Sequence, residues 1–315
     1  MADYINIKGQ SIEVVASDPA NPTIGQIWYN STSNTLKGGG VTTSGAWATG
    51  NPINTTRAQG GGAGIFTAAV IFGGEIDPPP VMSGATEEYD GNSWTNSNNM
   101  ITARRFVGAA GTQTAALCIA GEDIPPLSDV EEYDGTSWTA GGALPVSRSG
   151  NAAAGLQTAA ITFGGSPTPQ VASFTYDGTT WTPAPNMNTV RYRLAGSGTQ
   201  TAALGFAGNT GGPPGYTAAT EEYNGTAWTS VNSMNTAGQL RGGTGQGTQT
   251  ASLGFGGNVN PVATALRTTA TEEYDGTSWT NVAGLPVAKS AIMGGGTSSY
   301  AFSAGGNTPP PTLIG

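Results

Sequence analysis

Nine residues, Glu272 to Thr280, read Glu-Glu-Tyr-Asp-Gly-Thr-Ser-Trp-Thr, and the chain comes back to this phrase again and again. Glu131 to Thr139 repeats it almost letter for letter. Glu87 to Thr95 and Glu221 to Thr229 carry small changes, and a worn copy runs from Ser173 to Thr182. Each copy reads as two short strands around a tight turn, with Asp-Gly as the turn signal. Tryptophans fall at positions 47, 94, 138, 181, 228 and 279, so the repeat is 43 to 51 residues long. A period in this range with about four strands per unit is the mark of propeller blades.

The interior of each unit keeps one order. Ten positions after the Trp stands a basic residue: Arg57, Arg104, Arg148, Arg191 and Lys289. Seven further on stands a glycine: Gly64, Gly111, Gly155, Gly198 and Gly296. The unit after Trp228 departs, with Gly238 in the basic position, two extra residues and Arg241 nearby. An apolar strand follows, ending in Gly-Gly or Ala-Gly, then a Pro-rich loop of variable length, then the hairpin into the next Trp. Six such Gly-ended strands are present but only five hairpins. The expectation is therefore an all-β, six-bladed propeller over residues 35–315. Residues 35–50 complete the last blade, with Thr35 to Gly38 and Gly45 to Trp47 as its missing strands. This closure removes open sheet edges and ties the chain ends together. Residues 1–34 stand outside the repeat as a short N-terminal arm.

An apolar strand ending in Gly-Gly, then a Tyr strand, then a Trp strand, resembles the kelch repeat of β-propellers. The wording is similar to kelch-like repeats in virion proteins of tailed bacteriophages. Asp18 to Asn30, continuing through Leu36-Lys37-Gly38, resembles a short module near the start of phage tail-fibre and appendage proteins. What the resemblance implies is a virion structural protein, made in the bacterial host cytoplasm. It would be a tail fibre or appendage adhesin, present in many copies or as a homo-oligomer, attached to other virion proteins through its N-terminal arm. A capsid decoration or tail joint protein is the alternative within the virion, and a polysaccharide-degrading propeller enzyme is the alternative outside that role.

The residues themselves restrict the chemistry. With no histidine, Ser-His-Asp and Cys-His nucleophiles and most zinc sites are excluded. A net charge of −9 without a basic block argues against nucleic acid or an anionic membrane surface as partner. No stretch approaches the roughly 18 apolar residues of a membrane span, and the opening MADYINIKGQ has no signal-peptide character. Cys118, the single cysteine, sits among Ala115, Ala116, Leu117, Ile119 and Ala120 and reads as a small apolar residue of a buried strand. The recurring hairpin acids read as architecture: Asp in the turns, Glu paired with the basic residue of each blade. The recurring Trp and Tyr read as blade-to-blade packing. No catalytic residue, metal or cofactor is expected from these patterns.

Non-repeated acids of the propeller are Glu75, Asp77, Glu122, Asp123 and Asp129, in the loops of two consecutive blades. Three readings stay open for them: a solvated rim, a calcium site or a catalytic pair. The loops that hold them link the second and third strands of each blade and vary in length and wording. The turns on the opposite face are short and nearly identical. Variable loops on a constant scaffold mark the expected recognition face. Its candidate ligand-binding residues are Glu75, Asp77, Glu122, Asp123, Tyr216 and Arg267, facing a host surface glycan or protein, or a neighbouring virion protein.

Overall fold

The computed structural model describes residues 13–17, 27–32, 35–38, 45–76, 80–167, 170–212, 215–259 and 266–308. The chain divides into two compact units, Met1–Ser44 and Gly45–Gly315. Strands are the only regular elements among the described residues. In the first unit β1 (Glu13–Val15) runs parallel to β2 (Ile27–Asn30), which pairs antiparallel with β3 (Thr35–Gly38). Thr35–Gly38, expected to complete the last blade, thus pairs with its sequence neighbour Ile27–Asn30. The short link favours this: Asn30 Oδ1 accepts the Thr32 amide at 3.0 Å and starts the turn between the two strands.

The second unit is a β-propeller. Its first blade holds β4 (Gly61–Ile65), β5 (Ala68–Phe72), β8 (Thr86–Tyr89) and β9 (Trp94–Ser97), with the small hairpin β6 (Glu75–Ile76) and β7 (Val81–Met82) in its variable loop. The second is β10 (Gly108–Thr112), β11 (Ala115–Ile119), β12 (Val130–Tyr133) and β13 (Trp138–Ala140). The third is β14 (Ala152–Leu156), β15 (Ala159–Phe163), β16 (Ser173–Tyr176) and β17 (Trp181–Ala184). The fourth is β18 (Ala195–Thr199), β19 (Ala202–Phe206), β20 (Thr220–Tyr223) and β21 (Trp228–Val231). The fifth is β22 (Gly242–Gly243), β23 (Ser252–Phe255), β26 (Thr271–Tyr274) and β27 (Trp279–Val282), with the hairpin β24 (Asn258–Val259) and β25 (Leu266–Arg267). Each blade is an antiparallel meander. Then come β28 (Met293–Gly295) and β29 (Phe302–Ala304), which among the described residues pair with each other alone. Five four-stranded blades therefore replace the six that were expected. They are the five units that carry a Tyr-Asp-Gly or Tyr-Asn-Gly hairpin.

Repetition in sequence becomes repetition in contacts. Trp138 packs edge-on against Phe72 of the preceding blade at 4.8 Å, and its indole N–H donates to Thr86 Oγ1 at 2.8 Å. Trp228 meets Phe163 and Ser173 in the same way, and Trp279 meets Phe206 and Thr220. Gln113, Gln157, Gln200 and Gln249, each in the turn between a blade's first two strands, reach back to two carbonyls of the blade before. For Gln157 these are Ala116 O at 3.0 Å and Tyr133 O at 2.8 Å. The tight approach demands glycine just before these turns: a Cβ on Gly155, at φ +105, would stand 2.3 Å from Ala159 O.

The buried basic residues find their carboxylates. Arg57 pairs with Glu87, Arg104 with Glu131 and Arg191 with Glu221, all with side chains at most 3% exposed. Arg241 stands 4.0 Å from Glu272, taking the role that Gly238 cannot. Each of these Glu also accepts loop amides, as Glu221 does from Asn188 and Thr189. In the third blade Phe174 replaces the Glu, and the Arg148 guanidinium lies 5.0 Å above its ring.

At the inner end of the sheets the repeat closes on itself. Phe106 N–H donates to Gln59 O, Gly150 to Phe106, Arg193 to Gly150, Leu240 to Arg193, Ala291 to Leu240 and Gln59 to Ala291, at 2.6–3.0 Å. This cycle of backbone bonds joins the first repeat to the last through residues of the repeats themselves. Trp47 lies 4.9 Å edge-on from Phe255, and its indole N–H donates to Thr271 Oγ1 at 3.0 Å.

Candidate recognition face

In a four-stranded meander the second-to-third and fourth-to-first connections emerge on the same face. Single backbone bridges tie them together here, as in Ala58 with Glu75, Arg105 with Glu122, Tyr192 with Asn209 and Gln239 with Asn258. The hydrogen-bonded cycle lies in the fourth-to-first connections and frames a depression of about 90 Å³. All its members have left-handed backbones: Gln59 (φ 67°), Phe106 (53°), Gly150 (64°), Arg193 (53°), Leu240 (54°) and Ala291 (57°). Only one is glycine, and a left-handed conformation costs other residues about 1–2 kcal/mol each. The closed cycle holds them there. Backbone geometry at the mouth is therefore constant while the side chain differs in every repeat.

The side chains around the mouth form one aromatic and cationic cluster. The Arg193 guanidinium lies 4.5 Å above the Phe106 ring and 5.6 Å above that of Tyr192, while Arg105 covers Phe106 at 5.1 Å. Arg193 belongs to none of the ion pairs among the described residues. Arg105 behaves otherwise. It pairs with Glu75 and, at 2.8 Å, with Glu122, whose other oxygen accepts from Ser149 Oγ at 3.1 Å. This chain links the loops of three consecutive blades.

Of the residues expected from sequence, Glu75 and Glu122 are brought together, and Arg105 is what joins them. Asp123 is exposed beside them, and Asp77 lies outside the described residues. No group of three His, Cys, Asp or Glu side chains converges among the described residues. Tyr216 belongs to a separate network in which Gln239 Nε2 donates to its hydroxyl at 3.1 Å and Asn209 Nδ2 donates to Gln239 Oε1 at 3.1 Å. Arg267 sits in β25, across the hairpin from Asn258, with its Nε buried and unbonded. Sequence reasoning passed over Arg105, Phe106, Tyr192 and Arg193. A signal was there: Arg104-Arg105-Phe106 and Arg191-Tyr192-Arg193 follow the recurring basic residue with non-recurring cations and rings.

No family model matches the chain, and no curated protein matches it significantly.

Proposed function

We propose that this chain is a non-enzymatic structural protein of a tailed-bacteriophage particle, a tail fibre or appendage adhesin. In this reading the N-terminal arm, residues 1–34, attaches it to neighbouring virion proteins, and the propeller turns its variable face to the host surface. The kelch-like repeat and the tail-fibre-like segment from Asp18 to Gly38 support the virion setting. The observation that carries the binding role is the mouth: Gln59, Phe106, Gly150, Arg193, Leu240 and Ala291 share one backbone conformation and differ in every side chain. The hairpin turns and the strand-ending glycines, by contrast, hold the same or closely similar residues from repeat to repeat. Constant backbone under varied side chains is how a scaffold is adapted to a partner. Many weak contacts of this kind add up when many copies face one surface.

The reading includes a sixth repeat in the ring. The cycle of backbone bonds has a member from β28's repeat, and Trp47 meets Phe255 and Thr271 as Trp138, Trp228 and Trp279 each meet the blade before them. Residues 45–53 then close the last sheet in the place of a fourth strand.

Two measurements test the function. Quantitative mass spectrometry on purified particles, with heads and tails separated, should find the chain in the tail fraction. Abundance in heads alone makes it a decoration protein, and absence from particles removes the virion role. Binding of the purified protein to a glycan and polysaccharide array should be lost in a Phe106→Ala/Arg193→Ala variant that melts like wild type. Cleavage of any polysaccharide by the isolated protein would favour the enzyme reading instead.

A further inference from the structure

Arg193 is the one charged member of the hydrogen-bonded cycle, and its side chain crosses the mouth. The guanidinium reaches the Phe106 ring, two blades away. Gly150, the member of the cycle between them, permits the crossing: a Cβ there would stand 3.2 Å from Arg193 Cγ. The stem therefore runs over the glycine, and the cation comes to rest beside the rings of Phe106 and Tyr192.

The other arginines around it are satisfied. Arg104 and Arg191 have a buried Glu each, Arg148 donates to two carbonyls, and Arg105 is held by Glu75 and Glu122. Arg193 gives no side-chain hydrogen bond and enters no ion pair among the described residues. Five N–H groups on a planar cation are left without an acceptor. A ring stacked on a guanidinium takes up its face and leaves the N–H edge open. That edge meets a planar carboxylate through two parallel bonds. Because Phe106 already holds the group, little side-chain freedom is lost when an anion arrives.

Charge and size narrow the anion. Arg105, the second cation on Phe106, brings the carboxylates of Glu75 and Glu122 close to the site, and Asp123 is exposed beside them. A dianionic phosphate ester would set its second charge against these acids, whereas a monoanion needs only Arg193. The depression of about 90 Å³ has room for a carboxylate group but not for a sugar ring, which would stay on the rim. Asn151, which lines the depression, has its Oδ1 buried without a donor. The mouth thus offers donors at Arg193 and wants a donor at Asn151, directly or through a water. A ligand that answers both carries a carboxylate and hydroxyl groups.

We propose that the mouth binds the carboxylate of an acidic sugar, a uronic acid or related sugar acid of a surface polysaccharide, held by Arg193 in two parallel hydrogen bonds. The assignment rests on the reading of the variable face as the recognition face, and two probes separate the two. The methyl glycosides of glucuronic and galacturonic acid differ from methyl glucoside and methyl galactoside only at the carboxylate. In titrations followed by NMR, the Arg193 Nε–H resonance should shift with an acid and stay in place with its neutral parent at equal concentration. No shift with either acid, or an equal shift with the neutral parents, overturns the assignment.

The second probe is an array that carries acidic polysaccharides beside their carboxyl-reduced forms. Binding should fall about tenfold or more on reduction, and by a similar factor in Arg193→Gln, because each loses hydrogen bonds to a charged group. Arg193→Lys should stay below wild type, since an ammonium keeps the charge but not the fork. Binding that survives both carboxyl reduction and Arg193→Gln leaves a glycan-binding face and overturns the sugar-acid site. A preference for sulfated or phosphorylated glycans overturns it likewise. An array without any binding, together with an Arg193 resonance that answers the free acids, removes the host-surface role and keeps the site.

Discussion

Arg191 and Arg148 occupy equivalent places and face different neighbours. Burial pushes both guanidinium groups down to about 10, but Arg191 has Glu221 at 2.9 Å and Arg148 has the Phe174 ring. Removing one partner of a buried pair leaves an uncompensated charge and costs about 3–5 kcal/mol. Glu221→Gln should cost that much in denaturant unfolding. Glu222→Gln, next in the chain, should cost about 1 kcal/mol or less, because its amide oxygen still accepts from the Tyr274 hydroxyl, 2.8 Å away in the wild type, and only the charge assistance is lost. The pairing of recurring Glu with the recurring basic residue was legible in the sequence, since both return at fixed spacing. The orphan of the set was not. Trp181 has its indole N–H buried and unbonded because Val130 stands where other blades place Thr or Ser. Val130→Thr supplies the missing acceptor, and the variant should gain about 1 kcal/mol in the same experiment. A loss instead would show that the added hydroxyl is not within reach of the indole.

Blades are tied to one another by single side chains from their hairpins. Tyr133 donates to Glu88 and Tyr176 to Glu132, each at 2.5 Å, across the blade boundary. Desolvation, with the carboxylate neighbour, raises both phenols from 10 to about 12. A raised phenol pKa means that the folded state holds the proton more tightly. The contribution is complete below about pH 10 and is lost as pH rises through about 12. Tyr176→Phe should therefore lose less stability between these pH values than the wild type does, measured as the shift of the urea midpoint. An equal loss would place the alkaline sensitivity elsewhere. Strand order at this scale was legible, because period, Gly ends and hairpin turns all recur. The glutamine latches were not, although Gly-Thr-Gln-Thr is conspicuous. Their acceptors, such as Ala116 O and Tyr133 O for Gln157, are main-chain atoms of another blade that no local pattern marks. The small hairpins β6–β7 and β24–β25 were hidden for a related reason, being two residues per strand inside loops read as irregular.

A ring must be closed, and here the closure has separable parts. The inner part is the bond from Gln59 N–H to Ala291 O with Met293 packed beside Gly60, and it uses only repeat residues. The outer part is the segment from Gly45 onward, with Trp47 on Phe255 and Ile53 against the cluster of Ala69, Ile71, Met293 and Phe302. Counting hairpins against Gly-ended strands exposed the shortfall in the last repeat. It did not reveal that Thr35–Gly38 would pair locally with Ile27–Asn30 and leave five blades beside a two-stranded sheet. Pairing within a short hairpin costs less loop entropy than pairing with strands far along the chain, and spacing alone does not weigh the two. The parts can be told apart by truncation. Removing residues 1–44 takes away only the first compact unit, and the propeller should melt as it does in the full chain. Removing 1–53 also takes Trp47 and Ile53. Trp47 is half-buried, and losing its packed face costs about 1.5–3 kcal/mol, so this variant, and Trp47→Ala in the full chain, should melt below wild type. If Trp47→Ala instead melts with wild type, then the inner cycle suffices to hold the ring, and the segment from Gly45 to Ile53 only lies upon a propeller already closed by its own repeats.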